Sequence, residues 1–137
     1  MLAKTIKYTD YNDQEREEKF YFNLSKSELT KMRFSQKGGF ENYINALITE
    51  NDEPKLMQMF EDIILMSYGR KTPEGGFEKS EELSKKFKDT AAYDELFMEL
   101  CSSTEAVTAF VNGILPKDIN PDGTKANISS IPYPANK

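Results

Sequence analysis

The hydrophobic positions change their period along the chain, and the changes divide it into elements. Leu2, Lys4, Ile6 and Tyr8 alternate with Ala3, Thr5, Lys7 and Thr9, and later Phe20, Phe22 and Leu24 alternate with Lys19, Tyr21 and Asn23. A period of two belongs to strands with one covered face. Between the two runs Asp10, Tyr11, Asn12, Asp13 and Gln14 include strong turn formers, so an antiparallel hairpin is expected, its polar arm of Glu15, Arg16, Glu17 and Glu18 facing water. Two strands alone are marginal, so the face carrying Ile6, Tyr8, Phe20 and Phe22 must lie on helices.

From Ser25 the period lengthens to that of a helix. Ser25 followed by Glu28 is a capping box, and a helix is expected over residues 26–35 with Leu29, Met32 and Phe34 inward. Gly38 and Gly39 break it, and Phe40, Tyr43, Ile44, Leu47 and Ile48 lay out a second helix ending near Glu50. Residues 54–69 form the most apolar run. Pro54 suits a first helical turn, Asn51 or Asp52 can cap it, and Gly69 is placed to end the helix in the left-handed conformation. Leu56, Met59, Phe60 and Ile63 make one stripe, but Met57, Ile64, Leu65, Met66 and Tyr68 carry the apolar surface well beyond it. Such a helix must be covered on most sides, which makes it the centre of the core. Its three methionines also suit a surface that accepts variable apolar sequence.

Residues 70–79, with Pro73, Gly75 and Gly76, read as a plain connector or a small β-turn; the glycine pair lacks the spacing of a phosphate-binding loop. Ser80 caps a short helix through Lys88 with Leu83 and Phe87 inward, and Thr90 opens another, to about Cys101, striped by Tyr93, Leu96, Phe97 and Leu100. Ser102 with Glu105 offers a cap for a last helix carrying Val107, Phe110, Val111 and Ile114, ended by Gly113 and Pro116. The expected fold is α+β, mainly α: an N-terminal β-hairpin packed on a bundle of about five or six helices, with Phe20, Phe22, Leu47, Phe60, Ile63, Ile64, Leu96, Phe97 and Phe110 in the core. Residues 1–116 make the domain. Residues 117–137 are expected to be a flexible tail, because Ile119, Ile128, Ile131 and Tyr133 are too sparse to offset the entropy of ordering.

Composition narrows the chemistry. A net charge of -5 with no basic cluster argues against nucleic acid as the main partner. No run is long enough to span a membrane. Cys101 is the single cysteine, so no internal disulfide forms; with no signal-peptide pattern at the start, a reducing cytoplasm is the expected setting, and Cys101 should sit at the core's edge as a small apolar residue. Histidine is absent, which removes His-dependent triads, His-ligated metals and the commonest acid–base group at neutral pH. Asp118, Asn120, Asp122 and Gly123 copy the first half of a calcium loop, but Ser129 stands at the twelfth position where a bidentate glutamate is needed. The remaining carboxylates lie opposite apolar stripes as solvated faces. No catalytic residue, metal or cofactor is expected, and the chain reads as a non-enzyme.

Four segments, KTIKYTDY (4–11), EEKFYFNLSKSEL (17–29), ILMSYG (64–69) and AYDELFMEL (92–100), occur in an order that resembles the tail assembly chaperones of long-tailed (siphovirus) phages infecting Gram-positive bacteria. The resemblance covers roughly residues 1–116 and rests on the set, since no one segment is diagnostic. It implies a protein of the host cell cytoplasm that coats the phage tape measure protein while the tail is built and is absent from the finished virion. A ribosomal frameshift in this family often yields a longer product whose extension recruits the major tail tube protein. No catalytic residues carry over. The apolar surface of residues 54–69 supplies candidate partner contacts in Met57, Met59, Met66 and Tyr68, and the same surface favours a homo-oligomer. The other class open to such a chain is a structural virion component, such as a tail-completion or head–tail joining protein.

Overall fold

A computed structural model of the chain describes residues 1–35 and 39–116. β1 (Leu2–Thr9) and β2 (Glu15–Phe22) form the expected hairpin, paired from Leu2 opposite Phe22 to Thr9 opposite Glu15. The Asp10 carboxylate holds the turn by accepting the N–H groups of Asn12 and Gln14 at 2.8 and 3.0 Å, and Asp13 takes φ +61°, a conformation short polar side chains tolerate. The alternation places Ile6 and Phe22 in the core with Leu2, Tyr8 and Phe20 packed against it. Lys4 shares that face and escapes burial of its charge by reaching the Glu99 carboxylate at 2.5 Å.

α1 (Lys26–Ser35) begins at the capping box: the Glu28 N–H donates to Ser25 Oγ at 3.1 Å and the Ser25 N–H to Glu28 Oε1 at 2.8 Å. α2 (Gly39–Thr49) buries Ile44 and Leu47. The expected inward side chains of Met32, Phe34, Phe40 and Ile48 lie outside what is described, as do residues 117–137, which hold the expected tail and the calcium-like Asp118, Asn120 and Asp122.

α3 (Glu53–Ser67) is the central helix, capped by Asp52 with Pro54 in its first turn. It ends at Ser67, two residues before the expected glycine. Ser67 is fully buried, and its hydroxyl donates to the carbonyls of Ile63 and Ile64 at 2.7 and 3.1 Å. Tyr68 then takes extended backbone and opens β3 (Tyr68–Lys71), which turns back into β4 (Phe77–Glu78). Of the two readings of residues 70–79 the turn is the one the structure shows, closing a second hairpin between β3 and β4, and one four-stranded sheet results, in the order β1-β2-β3-β4. Gly69 serves close approach rather than a left-handed turn: a Cβ there would come within 2.5 Å of Phe77 Cε2 and 2.7 Å of the Glu78 carbonyl. The left-handed residue is Gly75, φ +88°, inside a turn closed by the Thr72 N–H on the Gly76 carbonyl at 2.9 Å.

α4 (Glu81–Lys88), α5 (Ala91–Ser102) and α6 (Thr104–Ile114) complete the chain, with Ser80 and Thr90 capping the first two as expected. The third cap is Ser103, not Ser102, because α5 runs one residue further and Ser102 spends its hydroxyl on the Glu99 carbonyl. Gly113 lies inside α6 and not at its end; a Cβ there would meet Leu2 Cδ1 at 2.8 Å. Phe22, Leu47, Phe60, Ile63, Ile64, Leu96 and Phe110 are buried, and Phe20 and Phe97 pack against them half-buried. Phe87 of α4 ties sheet to helices, with ring centroids 5.1 Å from Phe20, 5.7 Å from Phe22 and 4.4 Å from the stacked Tyr68.

Candidate functional site

α3 buries Met59, Phe60, Ile63 and Ile64 but leaves Leu56, Met57, Leu65 and Met66 half-covered. A helix makes about two and a half turns over the nine residues from Met57 to Met66, so these two methionines lie on opposite sides. Met57 faces α5, where its Sδ lies 3.5 Å from Cys101 Sγ. Cys101, expected at the edge of the core, is exposed, and partial burial against this neighbour pushes its thiol pKa up, away from reactivity. Met66 faces α4. Met59 is buried, and its carbonyl accepts the hydroxyl of Tyr43 at 3.2 Å. Tyr68 lies on β3 against Phe22 and Phe87. The structure does not bring the four expected contact residues onto one surface.

Beside Met66 lies a groove of about 730 Å³ between the end of α3 and α4, with Leu65 and Met66 as floor and Lys79, Glu81, Lys85, Lys88 and Asp89 as rim. Two polar ties fix its walls. Ser84 Oγ donates to the Leu65 carbonyl at 3.0 Å, and Lys79 Nζ donates to the Met66 carbonyl at 2.9 Å and to both Glu28 oxygens at 2.8 and 2.9 Å. Lys79, the residue after β4, thus ties α1 to α3 at the mouth of the groove. The sequence reading passed over it, and no local pattern places it, since it follows the two-residue β4 and its partners lie on α1 and α3.

Burial raises the phenol pKa values of Tyr43 and Tyr68, and burial with its hydrogen bond to Glu18 lifts Tyr8 to about 12. Asp10 and Glu50 are held below the usual carboxylate range, first by accepting backbone N–H groups. These groups all move away from neutrality, the opposite of what acid–base catalysis near pH 7 needs. Among the described residues no cluster of three or more His, Cys, Asp or Glu side chains is placed to hold a metal ion. No helix of the described residues is long and apolar enough to cross a membrane.

The family profile described as phage tail assembly chaperone matches residues 1–132. The chain belongs to this family. No curated protein and no solved structure matches it. Membership in a chaperone family points to a non-enzymatic role, exercised through contacts with phage tail proteins. The match runs past Pro116, beyond the end of the last described helix.

Proposed function

We propose that this chaperone binds the tape measure protein during tail assembly in the host cytoplasm and leaves before the virion is complete. The observation that carries the reading, beside family membership, is the groove at the end of α3, whose floor of Leu65 and Met66 is apolar while its rim is charged. A long client with repeated amphipathic helices would offer many similar apolar stripes, and weak contacts repeated along it sum to stable coating. The charged rim would keep the unloaded chaperone soluble.

Of the four residues expected to touch the client, Met66 lines this groove, Tyr68 lies on β3 beside β2 and not in the groove, Met57 belongs to the opposite face of α3, and Met59 is buried in the core. Self-association through the same apolar surface in the absence of client, and recruitment of the major tail tube protein by a frameshifted extension, belong to the same proposal.

The test is co-expression with the tape measure protein of the same phage. The client, insoluble alone, should become soluble with the wild-type chaperone and stay insoluble with Leu65→Asp/Met66→Asp, whose fold is checked by circular dichroism. Rescue by that variant would remove the groove from the proposal. Failure of the wild-type chain to rescue or to form a complex would turn the reading to a virion component, which mass spectrometry of purified particles would then detect.

A further inference from the structure

A second surface, on the sheet, has a different chemistry. β2 and β3 pair only at Tyr21–Gly69 and Phe22–Tyr68, after which β3 turns to β4 and β2 runs on alone. The space between the diverging strands is a cleft of about 720 Å³ lined by Glu18, Lys19, Phe20, Tyr21, Tyr68, Gly69, Arg70 and Lys71. Its aromatic residues are Phe20, Tyr21 and Tyr68; its positive charge comes from Lys19, Arg70 and Lys71, against one carboxylate, Glu18, which is taken up by the Tyr8 hydroxyl and Arg16. None of these three cations meets a carboxylate among the described residues; Lys71 Nζ lies 4.9 Å over the Tyr21 ring instead. In a chain of net charge -5 this is a local excess of the opposite sign.

The backbone adds a direction. The Asn23 N–H donates to the Ser67 carbonyl at 2.8 Å, in the same register as Tyr21 opposite Gly69. In an antiparallel ladder the residues that hydrogen-bond across one edge alternate along the strand. Asn23 and Tyr21 therefore turn their peptide groups toward β3, and so do Lys19 and Glu17, which have no strand opposite them there. A lone edge lysine is a common guard against unwanted pairing. Three unmatched cations and three rings around one cavity next to an open strand edge go beyond a guard.

We propose that this cleft is a docking site for an extended acidic segment of a partner protein, which adds to β2 at Lys19 and Glu17 as a strand and sets its carboxylates against Lys19, Arg70 and Lys71. Strand addition supplies main-chain hydrogen bonds, and the alternate side chains supply specificity. The site does not depend on the identity of the client at the α3 groove.

The probe is a fluorescently labelled ten-residue peptide with glutamate alternating with threonine and valine, titrated with the full chain at low salt and followed by anisotropy. It should bind, while its lysine counterpart should not, and the triple variant Lys19→Glu/Arg70→Glu/Lys71→Glu should weaken it by about tenfold or more, as reversal of complementary interface charge does. The glutamate peptide N-methylated at alternate residues keeps its charge but cannot pair as a strand, and it should bind at least about tenfold more weakly to the wild-type chain, which needs no variant to fold. Equal binding of the methylated peptide would overturn the strand-addition proposal. So would absence of binding, or tighter binding of a single-stranded oligonucleotide of equal charge.

Discussion

β2 is paired along its whole length with β1 but over only two residues with β3. The first ladder joins neighbours in sequence through a tight turn; the second joins segments almost fifty residues apart and is held less by its own hydrogen bonds than by what packs on it. Tyr68 is clamped between Phe22 and Phe87, and Gly69 lies under Phe77. A long local ladder makes a rigid platform, whereas a short non-local one leaves an open edge beside it. Both candidate surfaces lie at this second junction: the groove where α3 gives way to β3, and the cleft where β3 parts from β2.

Tyr21 and Phe22 are shared by both ladders, and the buried one should matter most. Phe22 is fully buried between Phe87, Phe110 and Tyr68, so Phe22→Ala should cost about 3–5 kcal/mol in chemical denaturation. A cost below about 1 kcal/mol would contradict the packing of sheet on helices. Gly69→Ala strikes only the short ladder. The added methyl cannot avoid Phe77 and the Glu78 carbonyl, and a loss of about 1–3 kcal/mol is expected, with faster amide exchange in β3 and β4 and unchanged protection in β1. Equal acceleration in both ladders would mean that they open as one unit.

Tyr8→Phe probes the long ladder. The Tyr8 hydroxyl donates to the Glu18 carboxylate, and its loss should cost about 1 kcal/mol. Burial and the Glu18 hydrogen bond push the Tyr8 phenol up to about 12 from the ordinary 10.0, so the neutral phenol is the form the fold favours. Its contribution is fully present below pH 10 and fades as pH rises toward 12, and Tyr8→Phe should lack that share of the alkaline loss. The smallest effect belongs to Lys4→Ala. Its partly exposed pair with Glu99 should contribute less than about 1 kcal/mol, and less again in high salt.

What the sequence disclosed follows the same division. The β1–β2 hairpin and the Ser25–Glu28 box were legible because their determinants lie within a few residues of one another. β3 was not, since Tyr68 and Gly69 read equally well as the end of an apolar helix and their strand partners lie far back in the chain. The methionines were legible as apolar positions but not as buried Met59, groove-facing Met66 and α5-facing Met57, because that sorting depends on where α4 and α5 pack. The groove itself needs α4 beside α3, a relation no local pattern encodes.

The central claim is that the client sits in the groove beside α3. Hydrogen exchange read by mass spectrometry, with the chaperone alone and in complex with its tape measure protein, tests it most directly. Added protection should concentrate in the segment that carries Leu65 and Met66 and in α4, with the β1–β2 turn unchanged. Protection confined to other segments, or none in a stable complex, would contradict it.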